Sequence, residues 1–278
     1  MRVGYNTNGF AHHPLPLALQ IMADEGYRSV ALTLDYHCLD PFDPDWVANA
    51  AKVRRFLERL GLASVVETGA RFLLDFRQKH EPTLVSPGEE QRARRVDFLR
   101  RAVDMAALLG SDCVSLWSGV PRDCAPESEL WPRLCGALQQ VLDHAEARGV
   151  VLGFEPEPGM FVDTMVRYGE LRARMPSDNL RLTLDVGHVH CMREGPVADQ
   201  VTQWGAELVN LHIEDMRAGV HEHLMFGEGE MDFPPIAAAL RQVGYRGGVH
   251  VELSRHSHDA PSVARRARQF LHEAGFEG

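Results

Sequence analysis

Residues 180–213 have the sequence LRLTLDVGHVHCMREGPVADQVTQWGAELVNLHI, and this stretch indicates the fold class. It opens with a short apolar run, Leu180–Asp185, which has the length and apolar content of a strand. A helical pattern, Pro196–Trp204, follows, and a second apolar run, Leu208–Ile213, closes the stretch. A strand, a helix and a strand in this order are typical of α/β proteins with parallel sheets.

The same alternation extends over the whole chain. The predicted strands are Arg2–Asn6, Ser29–Leu34, Ala63–Glu67, Cys113–Trp117, Val150–Glu155, Leu180–Asp185, Leu208–Ile213 and Gly248–Leu253. The predicted helices are Leu15–Glu25, Asp45–Leu60, Glu89–Leu109, Glu127–Arg148, Thr164–Met175, Pro196–Trp204, Phe233–Val243 and Pro261–Ala274. Several helices end at a glycine, such as Gly61 and Gly149, which is a common signal for a helix C-terminus.

Eight strand–helix units without a break in composition predict a single (β/α)₈ barrel over residues 1–278. The length of 278 residues suits such a barrel, and 45% hydrophobic with 24% charged residues is ordinary for a globular protein. A doubly wound open sheet is the alternative. Its first βα turn is usually glycine-rich, whereas this turn is Asn6-Thr7-Asn8-Gly9.

Composition and charge exclude several classes of function. No apolar run is long enough to span a bilayer, and the N-terminal residues MRVGYNTNGF lack the apolar stretch of a secretory signal. The five cysteines are odd in number, widely spaced and without a CxxC pair, which favours a reducing compartment and predicts a cytoplasmic protein. The net charge of −10 argues against a nucleic-acid partner, because the arginine runs lie on predicted amphipathic helices.

Two loops that follow predicted strands are longer than average. Residues 68–88 follow the third strand, and residues 214–232 follow the seventh. The loops after the strands of a barrel build its active-site face, so we expect both loops beside the functional site.

Acids and a histidine recur at the ends of the last four predicted strands. Glu155, Asp185, His212 and Glu252 mark the ends of strands five to eight. A carboxylate embedded in an apolar strand is costly to bury unless it is paired or binds a metal. One divalent cation would relieve the repulsion among three carboxylates, and three oxygens with one nitrogen suit Mn²⁺, Mg²⁺, Co²⁺ or Zn²⁺. Taken singly, each acid is also explained by a helix cap or by an arginine partner.

Five short segments form an ordered set, mostly in the second half of the chain. They are Phe154-Glu155-Pro156, Leu184-Asp185-Val186-Gly187-His188, Asn210-Leu211-His212-Ile213-Glu214-Asp215, Gly227-Glu228-Gly229-Glu230-Met231-Asp232 and Val251-Glu252. Through this set the chain resembles the xylose isomerase-like TIM-barrel superfamily, the sugar phosphate isomerase/epimerase group. That group includes inosose-processing enzymes, ketose 3-epimerases, hydroxypyruvate isomerase and endonuclease IV.

The resemblance implies that Glu155, Asp185, His212 and Glu252 bind one divalent metal ion, with Mn²⁺ favoured over Mg²⁺, Co²⁺ or Zn²⁺. It implies that Glu155 and Glu252 are also catalytic and face opposite sides of a bound sugar. One would remove the proton beside a metal-held carbonyl to give an enediolate, and the other would return it. The implied partner is a small-molecule keto-sugar or cyclitol, and barrels of this group often self-associate.

Four more residues are candidates for substrate binding, and each has an alternative explanation. His188 would hydrogen-bond a substrate oxygen or serve as a second metal ligand. Arg217 would contact the substrate or pair with a neighbouring acid. Trp117 would stack on a sugar face or fill the mouth of the barrel, and Glu157 would support a metal ligand or lie exposed.

The loop after strand seven contains His221-Glu222-His223, where the nuclease branch has an Asp-x-His pair that feeds a multi-zinc cluster. Here His221 replaces the aspartate. That branch also needs histidines from strands three and four, whereas these strands end in Glu67 and Trp117-Ser118. The three-metal site is therefore incomplete, and a second, weaker metal held by His188, His223 and His221 is a separate hypothesis.

The leading hypothesis for function is a metal-dependent isomerase or epimerase of a keto-sugar or cyclitol. A related dehydratase or lyase acting on a keto-sugar or inosose would share its first step. A zinc phosphodiesterase of the endonuclease IV type is a third hypothesis, against which the acidic charge and the missing histidines count. A non-catalytic sugar-binding barrel is the fourth hypothesis. It does not explain why the protein would bear the loss of stability that comes with clustering buried acids.

Overall fold

A computed structural model of the protein describes residues 1–277. Its strands are β1 (Arg2–Asn6), β2 (Ser29–Thr33), β3 (Ala63–Glu67), β4 (Val114–Leu116), β5 (Leu152–Phe154), β6 (Leu180–Asp185), β7 (Leu208–Ile213), β8 (Asp215–Arg217), β9 (Val220–Leu224) and β10 (Gly248–Val251). Eight of them form a closed parallel barrel in the order β1-β10-β7-β6-β5-β4-β3-β2, and β8 and β9 form a separate antiparallel hairpin. The predicted (β/α)₈ barrel is confirmed.

Helices surround the barrel. They are α1 (Leu15–Asp24), α2 (Trp46–Leu60), α3 (Glu89–Leu109), α4 (Glu127–Arg148), α5 (Met165–Arg174), α6 (Val186–Cys191), α7 (Val197–Trp204), α8 (Phe233–Gln242) and α9 (Ala260–Glu273). Two 3₁₀ segments, Thr7–Phe10 and Ser254–Asp259, follow the first and last barrel strands. Across residues 1–277, no helix combines the length and the apolar character needed to cross a membrane.

Several strands have the predicted bounds, and the others are shorter. β5 and β10 end before Glu155 and Glu252, so these acids follow their strands instead of lying within them. The backbone still holds both at the rim. The Glu155 amide donates to the Leu116 carbonyl at 2.8 Å, and the Glu252 amide donates to the Ile213 carbonyl at 3.2 Å.

Helix α6 and the hairpin β8–β9 border the site and were not predicted from the sequence. α6 begins directly after β6, and the Asp185 carboxylate caps it by accepting from the His188 amide at 2.9 Å. Its six residues are fewer than two helical turns, which is too short for a periodic pattern. The hairpin β8–β9 lies within the predicted loop 214–232. The VHEHL sequence of β9 lacks the alternating apolar residues that would mark a strand.

The main hydrophobic core lies between the barrel and its helices. All five residues of β2 are buried, as expected for a parallel strand that is covered on both faces. The long helix α3 contributes Phe98, Leu99, Val103 and Met105, all of which are fully buried. This packing fixes the positions of the strand ends that carry the site.

Glycines make room for a histidine inside the barrel. His250 is fully buried on β10 and lies in register with Gly4 on β1 and with His212 on β7. A Cβ atom on Gly4 would overlap the His250 ring and would lie 2.8 Å from the Ser29 carbonyl oxygen. Gly248 faces the same ring just as closely. A side chain at either glycine would therefore displace the imidazole.

We predict that Gly4→Ala lowers the free energy of unfolding by about 1–3 kcal/mol, because the backbone at Ser29 cannot move away from the new methyl group. Gly136→Ala is the matched control. Gly136 lies in α4 with open space around it, so the same change there should raise stability by about 0.5–1 kcal/mol. Denaturant unfolding of both variants measures the difference, and equal stability would contradict the close packing of His250.

Candidate active site

A pocket of about 350 Å³ opens at the carboxyl ends of the barrel strands. Its lining includes strand-end residues from around the barrel: Asn6, Thr33, Glu67, Trp117, Glu155, His212 and Glu252. The 3₁₀ segments, the loop 68–88 and the hairpin also contribute to the wall, as do the loop after β5 and helix α6. Both long loops predicted to border the functional site therefore contribute to it.

The structure brings together the four predicted metal ligands. One donor atom each from Glu155, Asp185, His212 and Glu252 lies within 4.8 Å of the others. His212 Nδ1 lies 3.0 Å from Glu155 Oε1 and 3.1 Å from Glu252 Oε2. Three carboxylates around one imidazole nitrogen form a donor set that suits a divalent cation of intermediate hardness.

Asp185 supplies the clearest sign that this set fits a metal. Its side chain is 1% exposed, and Oδ1 is engaged by the His188 amide. Oδ2 is buried and has no hydrogen-bond partner within residues 1–277. An unpartnered buried carboxylate oxygen is costly, and a bound cation would remove that cost.

The same four groups influence one another's protonation. Burial raises the pKa of Glu155 to about 8, and the neighbouring His212 only partly offsets this. Burial opposes the charged form of His212, but the carboxylates of Glu67, Glu155 and Glu252 raise the pKa of its imidazole well above the usual value. Protons therefore balance the charge of the metal-free cluster, and a cation would take their place.

A three-histidine group of His188, His221 and His223 lies beside the carboxylate cluster. One ring nitrogen from each lies within 4.8 Å of the others. His188 is 4% exposed, its Nδ1 lies 3.2 Å from the Pro156 carbonyl, and its Nε2 has no partner in the described chain. Burial lowers the pKa of His188 to about 4, so this imidazole is neutral and available as an acceptor or ligand.

Glu214 is a buried acid that sequence reasoning treated only as a partner for Arg217. Its side chain is fully buried behind Asp185, and a Cβ atom on Gly187 would overlap its carboxyl group. Burial, followed by the nearby Asp185 carboxylate, raises the pKa of Glu214 well above its usual range. Gly187 leaves room for the Glu214 carboxyl group because it has no side chain.

Glu157 and Trp117 both line the pocket. Glu157 Oε2 lies 3.8 Å from His188 Nδ1, and burial raises the Glu157 pKa well above its usual value. The Trp117 ring is fixed by the buried Arg95 guanidinium, 4.3 Å from the ring centroid, and by the His80 ring at its edge. Their roles in substrate binding stay predictions, and both side chains are placed where a substrate would contact them.

Arg217 lies apart from the predicted substrate-binding residues. It belongs to β8, its side chain is exposed, and its guanidinium donates to the Glu228 carbonyl at 2.8 Å. It does not line the pocket and pairs with neither Glu214 nor Asp215 in the described residues. A role in substrate binding stays a prediction that would require this side chain to turn inward.

Two residues at the cluster were not singled out as site residues from the sequence. Asn8 Nδ2 donates to Glu252 Oε1 at 2.8 Å, and Glu67 Oε1 lies 2.9 Å from His212 Nε2. Glu67 could have been found from the sequence, because it ends a predicted strand as the four candidate ligands do. It was passed over because it ends the third strand, whereas the candidate ligands end strands five to eight. Asn8 carries no such signal, since its position depends on the 3₁₀ segment after β1.

Asp215 holds the loop that follows the hairpin. Its carboxylate accepts from the amides of Gly227, Gly229 and Met231 at 2.8–3.1 Å and from the Met216 amide at 2.9 Å. The Gly227-Glu228-Gly229 turn is therefore shaped by a buried acid, as a structural element that supports β8 and β9. These strands carry His221 and His223 to the pocket.

Comparisons with known proteins identify one barrel family and several similar enzymes. The family model described as xylose isomerase-like TIM barrel matches residues 19–274. L-ribulose-5-phosphate 3-epimerase UlaE of Salmonella paratyphi C is 24% identical over 208 residues, which cover 74% of this chain and 73% of that enzyme. Fructoselysine 3-epimerase of Shigella flexneri is 26% identical over 168 residues, which cover 59% of this chain and 60% of that enzyme.

Solved structures show the same fold. The structure of the IolI protein with a bound zinc atom superposes with a TM-score of 0.79 at 18% identity, covering 99% of this chain and 98% of that one. At this identity the likeness concerns the fold.

We predict that Asp215→Asn lowers the free energy of unfolding by about 1–3 kcal/mol, because an amide cannot accept from all four backbone donors. Glu228→Gln, in the same loop with an exposed side chain, should leave stability unchanged. Thermal unfolding compares the two variants, and hydrogen exchange at residues 225–231 should rise only in Asp215→Asn. Equal protection of that loop in both variants would show that Asp215 does not hold it.

Proposed function

The chain belongs to the xylose isomerase-like TIM barrel family, and from this premise we propose that it is a divalent-metal-dependent isomerase or epimerase of a keto-sugar or cyclitol. The observation that carries the proposal is the convergence of Glu155, Asp185, His212 and Glu252 on one point of the pocket. Epimerases among the relatives support the same reaction class. Cytoplasmic location and self-association stay predictions from the sequence.

The four converging residues would hold the metal, and Mn²⁺ is the ion we favour for a site with three carboxylates and one imidazole. The zinc atom bound in the IolI structure supports metal binding by barrels of this shape. When bound, such an ion polarises a carbonyl group and acidifies the neighbouring C–H bond. The unpartnered Oδ2 of Asp185 is the ligand atom that most needs it.

Glu155 and Glu252 supply the proton transfers. One carboxylate removes the proton from the carbon beside the substrate carbonyl, and the other delivers a proton to give the product. Both carboxylates are oriented by hydrogen bonds: Asn8 Nδ2 donates to Glu252 Oε1 at 2.8 Å, and Glu155 Oε1 lies 3.0 Å from His212 Nδ1. The neutral His188, with Nε2 free, is available to hydrogen-bond a substrate oxygen.

The dehydratase or lyase alternative shares the first of these steps. Removal of the proton is followed by loss of a leaving group in place of proton return, and this needs an acid beside the departing oxygen. Glu157 lines the pocket, and burial and the neighbouring Glu155 raise its pKa, so we assign this role to it. Product analysis distinguishes the two reactions, because only the elimination changes the mass of the substrate.

The three-histidine group supports a second candidate function. His188, His221 and His223 would hold a second metal, as a zinc phosphodiesterase requires. The ends of β3 and β4 supply Glu67 and Trp117 to the pocket where the nuclease branch supplies histidines. The net charge of −10 is also a poor match for a DNA backbone. We therefore rank this function below sugar isomerisation.

We predict about one divalent ion per chain after reconstitution with Mn²⁺, and loss of that ion in Glu155→Ala, Asp185→Ala, His212→Ala and Glu252→Ala. Elemental analysis after gel filtration measures the stoichiometry. His221→Ala is the informative comparison, because it should keep the first ion. Two or three zinc ions per chain, with one lost in His221→Ala, would favour the phosphodiesterase and make abasic DNA the next substrate. A chain that binds no metal would contradict the proposed mechanism.

We predict that Glu252→Gln reduces proton exchange at the carbon beside the carbonyl at least about 100-fold, because an amide cannot act as the base. The assay follows deuterium incorporation from heavy water into a panel of ketohexoses, ketopentoses and inososes by mass spectrometry. Glu273→Gln, an exposed change on α9, is the matched control and should exchange at the wild-type rate. Wild-type exchange in a folded Glu252→Gln protein would remove Glu252 from the mechanism.

A further inference from the structure

Glu67 lies on the opposite side of the His212 ring from the metal-ligand cluster. It is the last residue of β3, and its side chain is 9% exposed. Its Oε1 lies 2.9 Å from His212 Nε2, whereas His212 Nδ1 faces Glu155 and Glu252 at 3.0 and 3.1 Å. The imidazole is thus held between one carboxylate on one edge and the ligand cluster on the other.

A carboxylate beside Nε2 favours the imidazole tautomer that a metal ligand needs. A neutral imidazole has one N–H group and one lone pair, and an ionised carboxylate can only accept. Carboxylates lie at both ring nitrogens of His212, so the cation makes the difference. When a cation occupies the cluster, Nδ1 must offer its lone pair, and the Nε2–H group then donates to Glu67 Oε1. Nδ1 is the nitrogen that faces the other three metal ligands, so this tautomer is the one that can bind a cation.

Asn210 fixes Glu67 in turn. Its Nδ2 donates to Glu67 Oε1 at 3.1 Å, and its Oδ1 accepts from His250 Nδ1 at 2.8 Å. The Ser29 hydroxyl then donates to His250 Nε2 at 2.8 Å. Asn210 Nδ2 also lies 3.2 Å from His212 Nε2, so this amide group contacts both the Glu67 carboxylate and the edge of the imidazole that faces it.

The barrel is built to accommodate this chain of hydrogen bonds. His250 fits only because Gly4 and Gly248 have no Cβ atoms to oppose its ring. Ser29, Glu67, Asn210 and His250 come from β2, β3, β7 and β10, so four barrel strands meet in one polar network. This network takes the place of apolar packing beneath the pocket. It holds the Glu67 carboxylate in one position.

We propose that Glu67 is a positioning residue of the metal centre, which accepts a hydrogen bond from His212 Nε2 and so presents Nδ1 as the metal ligand. This inference rests on the metal site of the proposed function and adds to it a residue that does not itself bind the ion. Outer partners of this kind typically change metal affinity by about 10–100-fold when they are removed.

The test measures metal affinity in the absence of substrate. Mn²⁺ binding to the metal-free protein is followed by calorimetry, and the visible spectrum of the Co²⁺-loaded protein reports on the ligand geometry. Glu67→Leu removes the acceptor at nearly constant volume, and it should weaken Mn²⁺ binding about 10–100-fold and alter the Co²⁺ spectrum. Glu67→Gln keeps a carbonyl oxygen within reach of His212, and it should therefore recover part of the affinity.

Glu81→Gln is the matched control. Glu81 is another buried acid and lies in the loop 68–88, outside the cluster. Its carboxylate forms an ion pair with Arg122 at 2.9 Å. It should keep wild-type Mn²⁺ affinity even if its unfolding temperature falls. If Glu67 had only a structural role, the loss of Mn²⁺ affinity in each of the three variants would be proportional to its loss of stability.

The outcomes separate this inference from the proposed function. Wild-type Mn²⁺ affinity and an unchanged Co²⁺ spectrum in folded Glu67→Leu, or in folded Glu67→Gln should the leucine variant not fold, would overturn the role of Glu67 and leave the metal site standing. A wild-type protein that binds neither ion would overturn both. Reduced affinity in Glu67→Leu, partly restored in Glu67→Gln and absent from Glu81→Gln, is the result that we expect.

Discussion

The mutual repulsion of carboxylates at the mouth of the barrel is the constraint on which the site depends. Glu155, Asp185 and Glu252 lie within 4.8 Å of one another around a single imidazole. Like charges at such separations cannot all ionise in a buried site without compensation. Protons shared with His212 provide that compensation in the metal-free protein, and a divalent cation would provide it better, because it interacts with all of them at once.

The barrel and the clustering of the four candidate ligands were predictable because both depend on local sequence patterns. Strand–helix alternation predicts a parallel barrel, and the carboxyl ends of its strands necessarily meet at one rim. Asp185 and His212 lie within β6 and β7 as predicted, while Glu155 and Glu252 are placed just beyond β5 and β10. Errors of one residue at the end of β5 and two residues at the end of β10 did not matter, because the backbone hydrogen bonds of the barrel continue past both strand ends.

The supporting residues were much harder to predict, because their roles depend on contacts between distant strands. Glu67 and His212 are 145 positions apart, and Asn8 and Glu252 are 244 apart. Glu214 follows a strand like the ligands do, yet only the absence of a side chain at Gly187 brings it behind Asp185. Arg217, which the family resemblance suggested as a substrate-binding residue, has an exposed side chain that donates to the Glu228 carbonyl, and its role stays a prediction.

The polar network beneath the pocket explains why a barrel would give up apolar packing near its centre. The network consists of four buried residues, Ser29, His250, Asn210 and Glu67. Hydrogen bonds link each of them to the next. Networks of this sort add little net stability compared with well-packed apolar residues, but they fix orientation. Since an imidazole can present either nitrogen to a metal, fixing its orientation is what a single-histidine site requires from the strands behind it.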